Sequence, residues 1–167
     1  MKTIYLGLGS NLGDREEALR TAVSRLHRSD LIVRRTSSIY ETAPREVCHQ
    51  PDFLNLVVEA ETSLLPMRLL QRTLSIELEM GRKRIAPKGP RVIDIDVLLY
   101  GASVIHAQQL QIPHPRMLER RFVLEPLAEL APDLRHPVSR KKIAEHLPAV
   151  VGQVVVKSSL PKPALHP

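Results

Sequence analysis

Apolar residues recur along this chain with two different periods, and the switches between them outline its elements. Thr3–Leu8 is a short, nearly continuous apolar run that predicts a buried strand. It ends in the turn-rich stretch Gly7-Leu8-Gly9-Ser10-Asn11-Leu12-Gly13. From Asp14 to Arg28 the period becomes helical, with Ala18, Leu19, Ala22, Val23 and Leu26 in one stripe. Leu31–Thr42 predicts a long strand, residues 43–52 a loop holding two prolines, and Phe53–Thr62 another strand. Ser63–Met80 predicts a second helix, with Ser63 as N-cap, Pro66 in the first turn and Gly81 at the stop. The run from Arg91 to Leu99, bounded by Gly89-Pro90 and Gly101, predicts the next strand.

Strand, helix, strand, strand, helix, strand is the order of a split β-α-β fold. The predicted class is therefore α+β and ferredoxin-like, an antiparallel-rich sheet with helices packed on one face. Beyond it, Ser103–Ile112 predicts a short hairpin and Pro113-His114-Pro115-Arg116 a loop or short helix. Phe122–Leu124 predicts a last short strand and Lys141–Leu147 a terminal helix. Residues 1–150 are expected to form one domain, and the proline-containing stretch 151–167 a flexible tail.

Composition narrows the field of ligands. Lysine and arginine exceed aspartate and glutamate by 24 to 18, a net +6 that suits an anionic ligand: a nucleotide, a nucleic acid or a membrane surface. The chain has no Trp, three Tyr and two Phe, few stacking rings for an RNA reader. Cys48 is the sole cysteine, so neither a disulfide framework nor a thiolate metal site can form within the chain. No stretch is long and apolar enough for a signal peptide or a membrane span, so the expectations are a cytoplasmic location and no membrane partner.

The strongest chemical signal is Asp94-Ile95-Asp96. On a strand, Asp94 and Asp96 share one face while Ile93, Ile95, Val97 and Leu99 share the other. Two carboxylates one pleat apart repel each other and resist burial unless a cation lies between them. Oxygen ligands of this kind suit Mg²⁺, commonly held by one or two carboxylates plus substrate phosphates. Residues 82–91 contribute five cations and no acid, a complement for polyphosphate oxygens. Their mutual repulsion predicts a loop that stays loose until phosphates arrive. A solvated basic loop leading into a strand with two exposed acids is the plainer alternative. The Gly7-x-Gly9 turn lacks the spacing of a dinucleotide fingerprint, because the next glycine is Gly13, and no P-loop is present.

Other residues add smaller signals. His114 is held between two prolines near Arg116, Arg120 and Arg121. Asn55 follows Phe53 by two residues and so shares its face, an apolar ring beside an amide that would suit a flat heterocycle. Phe53 and Phe122 could equally be ordinary core residues.

Together these pieces resemble the 6-hydroxymethyl-7,8-dihydropterin pyrophosphokinase family of folate biosynthesis over about residues 3–135. The matching blocks are Gly9-Ser10-Asn11-Leu12-Gly13-Asp14, Ser38-Ile39-Tyr40-Glu41-Thr42-Ala43-Pro44, Pro51-Asp52-Phe53-Leu54-Asn55, Ile76-Glu77-Leu78-Glu79-Met80-Gly81-Arg82, Gly89-Pro90-Arg91-Val92-Ile93-Asp94-Ile95-Asp96 and Ile112-Pro113-His114-Pro115-Arg116. The resemblance implies transfer of the β,γ-pyrophosphoryl group of ATP to the pterin hydroxymethyl oxygen, with release of AMP. It implies that Asp94 and Asp96 hold two Mg²⁺ ions bound with ATP, and that Arg82, Arg91, Asp94 and Asp96 are catalytic. ATP and its phosphates would be met by Glu77, Arg82, Arg84, Lys88, Arg91, His114 and Arg120. The pterin would be met by Thr42, Ala43, Pro44, Phe53, Asn55 and Phe122. Pro87 and Lys88 stand where the family often has a cation and an aromatic, and Phe53 where it often has a tyrosine. The implied partners are ATP and 6-hydroxymethyl-7,8-dihydropterin, with no nucleic acid, and the chain is expected to be a monomer. The competing classes are a ferredoxin-like nucleic-acid-binding module without catalysis and a metal-dependent nucleotidyl transferase with another acceptor.

Overall fold

A computed structural model describes residues 1–43, 51–81 and 91–165. Its elements run β1 (Lys2–Ser10), α1 (Arg15–Leu26), β2 (Leu31–Thr36), β3 (Tyr40–Thr42), β4 (Phe53–Thr62), α2 (Pro66–Glu79) and β5 (Asp94–Tyr100). A small hairpin of β6 (Ile105–His106) and β7 (Gln111–Ile112) follows, then α3 (Arg121–Leu130), α4 (Ile143–His146) and β8 (Val155–Lys157). The main sheet has the order β5-β1-β4-β3-β8, with β2 pairing the far half of β4 on the same side as β3. Its ladders are antiparallel. β1 and β2 are thus parallel across β4, and β4 and β5 are parallel across β1. These are the two interleaved β-α-β units of a ferredoxin-like fold.

Side-chain alternation splits the sheet into two buried faces. Ile4, Leu6 and Leu8 of β1, Leu54, Leu56, Val58 and Ala60 of β4, and Ile95 and Val97 of β5 pack with Leu19, Ala22, Val23 and Leu26 of α1 and Leu69 and Ile76 of α2. Tyr5, Val57 and Leu98 face the other way, against Val123, Leu124, Leu127 and Leu130 of α3 and Ile143 of α4, and Leu99, expected to face with Ile95 and Val97, joins them because a bulge shifts the β1–β5 register there. Helices therefore cover both faces, not one.

α3 accounts for that difference. Phe122–Leu124 is the first part of a helix rather than a strand. Its buried positions Val123, Leu124, Leu127 and Leu130 have helical spacing, interrupted in the sequence by Pro126. A proline inside a helix removes one i to i−4 hydrogen bond, so the pattern reads as shorter than it is.

Other boundaries shift for local reasons. β1 continues through Gly9 to Ser10, into what the sequence presents as a turn, because Gly9 and Ser10 pair with Asn55 and Leu54. The expected strand Leu31–Thr42 is split at Ser37, whose hydroxyl accepts from the Val57 N–H at 2.9 Å and donates to the Ser38 carbonyl at 2.8 Å. Serine side chains that bond to the backbone in this way compete with the ladder. α1 is capped by Asp14, which accepts from the Glu17 N–H at 3.1 Å. α2 starts at Pro66 after Leu65, and the Ser63 N–H is engaged by the Asp30 carbonyl instead of opening the helix. Gly81, at φ 90°, takes the left-handed position that ends α2. Within 151–167, expected to be a flexible tail, Val155–Lys157 pairs with β3 and Pro163 is buried. No helix of the described residues is long and apolar enough to cross a membrane.

Leu19 lies fully buried where α1 meets the sheet. Leu19→Ala should destabilise the fold by about 2–5 kcal/mol, as core leucine truncations do. Chemical denaturation checks this, and a loss below about 1 kcal/mol would contradict the packing described.

Candidate active site

The site is built on the sheet face that α3 covers only in part. Register brings Asp94 of β5 opposite Gly9 of β1, and Gly9 opposite Asn55 of β4. One pleat along, Asp96 lies opposite Gly7, and Gly7 opposite Val57. Asn55 is in turn opposite Tyr40 of β3. The acidic strand and the amide-bearing strand are thus separated by a strand with no side chain at the two facing positions. A Cβ on Gly9 would sit 3.0 Å from Asn55 Oδ1 and 3.5 Å from a Phe53 ring carbon. Glycine inside a strand often marks such a close approach.

The β5 wall carries the charge. Arg91 Nη1 donates to Asp94 Oδ2 at 3.2 Å. Arg91 is itself fixed by Asn11: its N–H donates to Asn11 Oδ1 at 2.8 Å, and the Asn11 N–H donates to its carbonyl at 3.1 Å. Asn11 is fully buried, and its Nδ2 reaches the Pro51 carbonyl at 3.3 Å, joining this wall to the start of β4. Between the two aspartates, the Ile95 N–H donates to Glu77 Oε2 at 3.0 Å. Glu77, 2% exposed on α2, thereby supplies the acceptor that this strand edge lacks.

His114 closes the end of this wall. Its N–H donates to the Leu98 carbonyl at 2.9 Å, and its Nδ1 accepts from the Arg116 N–H at 3.2 Å. The proton of the neutral ring is therefore on Nε2, 4.0 Å from Asp96 Oδ2. Burial, followed by the nearby Arg120 charge, pushes the His114 pKa down to about 4. His114 is neutral at pH 7, so its approach to Asp96 is not an ion pair. Asp96 moves the opposite way. Desolvation, then repulsion from Asp94, pushes its carboxyl up to about 7, against the pull of Arg120 and Arg91. Its side chain remains 35% exposed.

The β4 wall carries the flat surfaces. Asn55 Nδ2 donates to Thr42 Oγ1 at 2.8 Å, and both residues are buried. Ala43, next along, is exposed. The Arg91 guanidinium lies 5.9 Å from the centre of the Phe53 ring, and that of Arg120 5.4 Å from the Phe122 ring. Both phenylalanines are only partly buried, and Phe122 also packs against the α3-side core. Arg15 ties α1 to this wall through Glu41 at 3.1 Å and the Asp52 carbonyl at 2.8 Å.

The structure thus gathers Asp94, Asp96, Arg91, His114 and Glu77 along β5, and Thr42, Ala43, Phe53 and Asn55 along β3 and β4. Arg120, stacked beside Phe122 at the start of α3, acts on Asp96 and His114 through its charge. Pro44, Arg82, Arg84 and Lys88, with the basic loop expected to be loose, lie outside the described residues. Gly9 and Asn11 gain roles that the sequence did not assign. The available signals were a glycine among strand formers and a buried asparagine just past the strand end.

Among the described residues, no group of three or more His, Cys, Asp or Glu forms a closed metal cage. The pair Asp94 and Asp96, with the repulsion that raises Asp96, fits a divalent cation that takes its remaining oxygens from a phosphate substrate.

The fold and site together define a ferredoxin-like domain with a dicarboxylate edge facing an amide-and-phenyl pocket. The chain matches the family model of 7,8-dihydro-6-hydroxymethylpterin-pyrophosphokinase (HPPK) over residues 5–132 and belongs to that family. It is 52% identical over 127 residues to a 2-amino-4-hydroxy-6-hydroxymethyldihydropteridine pyrophosphokinase of Bacillus subtilis, covering 75% of this chain and 76% of that one. The enzyme of the same name from Aquifex aeolicus is 43% identical over 148 residues, with 89% and 92% covered. A folic acid synthesis protein, fol1, of Pneumocystis carinii is 42% identical over 150 residues. This chain spans only 20% of that relative's length. A crystal structure of wild-type Plasmodium falciparum HPPK-DHPS superposes with a TM-score of 0.72 at 18% identity, over 90% of this chain and 43% of that one, and supports the fold.

A carboxyl group whose pKa is raised by folding contributes stability below its ordinary range and loses it as pH rises through the folded value. Without metal, the chain should therefore lose stability relative to Asp96→Asn as pH rises from about 4 to about 7. Melting temperatures of both proteins across that window check this. Parallel curves would contradict the Asp96 environment described.

Proposed function

We propose that this chain transfers the β,γ-pyrophosphoryl group of ATP to the hydroxymethyl oxygen of 6-hydroxymethyl-7,8-dihydropterin, releasing AMP. The observation that carries the reading is the register across Gly9: Asp94 on one side, Asn55 on the other, with the glycine leaving room between them. Family membership and the named relatives point the same way.

In this reading the pterin lies in the pocket of Phe53 and Phe122, and Asn55 and Thr42 meet its heteroatom edge. The hydrogen bond from Asn55 to Thr42 fixes the amide orientation, leaving Oδ1 on the Gly9 side. ATP lies along β5 with its phosphates toward Arg91, Arg120 and His114. His114 presents a neutral Nε2–H donor to a phosphate oxygen. Asp94 and Asp96 would hold two Mg²⁺ ions, which neutralise charge on the polyphosphate and help orient it. Glu77 acts through the Ile95 amide to set the pitch of the two carboxylates. The pterin hydroxymethyl oxygen forms a bond to the β-phosphorus while the bond from that phosphorus to the oxygen bridging to the α-phosphate breaks. AMP leaves with that oxygen, and one proton is released. Such a transfer depends on in-line placement and charge neutralisation more than on a strong base.

Incubation with ATP, Mg²⁺ and the pterin should release AMP. Asp94→Ala and Asp96→Ala should each lower turnover by about two orders of magnitude or more while the fold persists. Normal AMP release from both variants would overturn the proposed carboxylate role. Phe53→Ala and Phe122→Ala should weaken pterin binding by about 1–3 kcal/mol each, on the scale of lost aromatic stacking, with little effect on ATP. Calorimetric titration of each ligand separates this from a core role, which would lower the melting temperature and spare pterin affinity.

A further inference from the structure

The segment after α4 lies beyond the matched family residues 5–132, and its contacts converge on the pterin-side walls of the site. α3 carries Phe122 in its first turn and has Arg120 as its N-cap residue, with no side-chain cap of its own. The first backbone donors of a helix need partners from elsewhere. Gln153 supplies one: its Oε1 accepts from the Arg121 N–H at 2.9 Å, and its Nε2 donates to the Glu119 carbonyl at 2.7 Å. Arg121 Nη1 reaches back to the carbonyls of Gln153 at 2.8 Å and Val151 at 3.1 Å. The start of α3 is therefore gripped from both sides of the Glu119–Arg121 backbone by a residue more than thirty positions away.

Two residues later the same segment becomes β8. Thr42 pairs with Val155, Glu41 with Val156 and Tyr40 with Lys157, and the Ser158 N–H donates to the Ile39 carbonyl at 2.8 Å. β3 is only three residues long, and without β8 it would be an unpaired edge. A further tie runs through Glu129 of α3. Its carboxylate accepts from the Tyr40 hydroxyl at 2.7 Å and the Ser38 N–H at 2.8 Å, and is approached by Lys162 at 3.4 Å and Lys157 at 4.0 Å. Glu129 is thus shared by α3, β3 and the following segment.

We propose that residues 151–162 form a positioning strap that sets the distance between the two pterin-side walls, holding Phe122 through Gln153 and Thr42 through β8. The inference rests on the reading of Phe53, Phe122, Asn55 and Thr42 as the pterin pocket. The strap touches neither reacting atom. Its action is chiefly on groups that would bind the acceptor, with Arg120 carried on the same gripped backbone; Asp94 and Asp96 lie on β5 and Arg91 just before it, on the opposite side of β1 and β4.

The test compares the full chain with a chain ending at Gly152 and with the point variants Gln153→Ala and Gln153→Glu. Loss of the strap should raise the pterin KM about tenfold or more, since misplacement by an ångström can cost that much, and the ATP KM by a smaller factor, because Arg120 is the one phosphate-facing residue on the gripped backbone. Adding a synthetic peptide of residues 153–165 to the shortened chain should restore pterin KM. Gln153→Glu, which keeps the acceptor for the Arg121 amide, should be milder than Gln153→Ala. Should the shortened chain not fold, the two point variants carry the same comparison. Hydrogen exchange without ligands supplies an independent reading: amides of residues 121–124 should exchange faster in Gln153→Ala, while those of β1 and β5 stay unchanged. Unchanged pterin KM and unchanged exchange at residues 121–124 would overturn the strap. Equal loss of pterin and ATP affinity with a lowered melting temperature would also overturn it, as a general structural role. A full chain that binds no pterin would instead overturn the pocket reading, and the exchange data would still decide whether the segment holds α3.

Discussion

The gap over Gly9 is the constraint around which the site is arranged. β1 is the central strand of the ferredoxin-like core, flanked by β5 and β4. Any side chain at position 9 would fill the space that separates Asp94 from Asn55 and Phe53. The neighbours have little freedom to move aside. Asn55 is buried and bonded to Thr42, and Phe53 stands beside the Arg91 guanidinium. The sheet itself acts as the ruler between the acidic strand and the amide-bearing strand, because antiparallel register fixes both neighbours of a central strand at once.

Electrostatics then assigns different work to the two sides. The β5 wall concentrates two carboxylates, and the fold surrounds them with partners that fix position. Arg91 bonds Asp94, Glu77 takes the Ile95 amide, and Asn11 secures Arg91 while reaching the start of β4. Glu77 has a second effect, adding to the repulsion that raises the Asp96 carboxyl above its usual range. A site strained by like charge in this way favours a cation, and neutral His114 adds a donor without adding to the positive charge around a phosphate. The β4 wall has no such burden and offers amide, hydroxyl and ring surfaces suited to a neutral heterocycle.

Much of this was legible in the residues. Strand alternation alone places Asp94 and Asp96 on one face, and the helical stripe from Ala18 to Leu26 is the buried face of α1. The pairing of Phe53 with Asn55 on one face also follows from period two. What stayed hidden depends on long-range pairing. Phe122 reads as part of a strand because Pro126 interrupts the helical pattern of α3, so the second helical layer was missed. Ser37 splits a strand that looks continuous, because the partner of its hydroxyl is a backbone amide on β4. Val155–Lys157 has a weak strand signal of its own and becomes β8 only because β3 offers an open edge. Gly9 reads as a turn until the Asn55 pairing reveals it as a strand glycine with an amide over it.

A double-mutant cycle on pterin affinity tests the gap most directly. Gly9→Ala, Asn55→Ala and the double variant would be titrated with the pterin under identical conditions. If the new methyl acts by displacing the Asn55 amide, Gly9→Ala costs affinity in the parent chain and much less once Asn55 is truncated. The coupling is then about 1–2 kcal/mol, in the range of residues in contact. Costs that simply add, with coupling near zero, would contradict the account, because Gly9 would then not be keeping that space for Asn55.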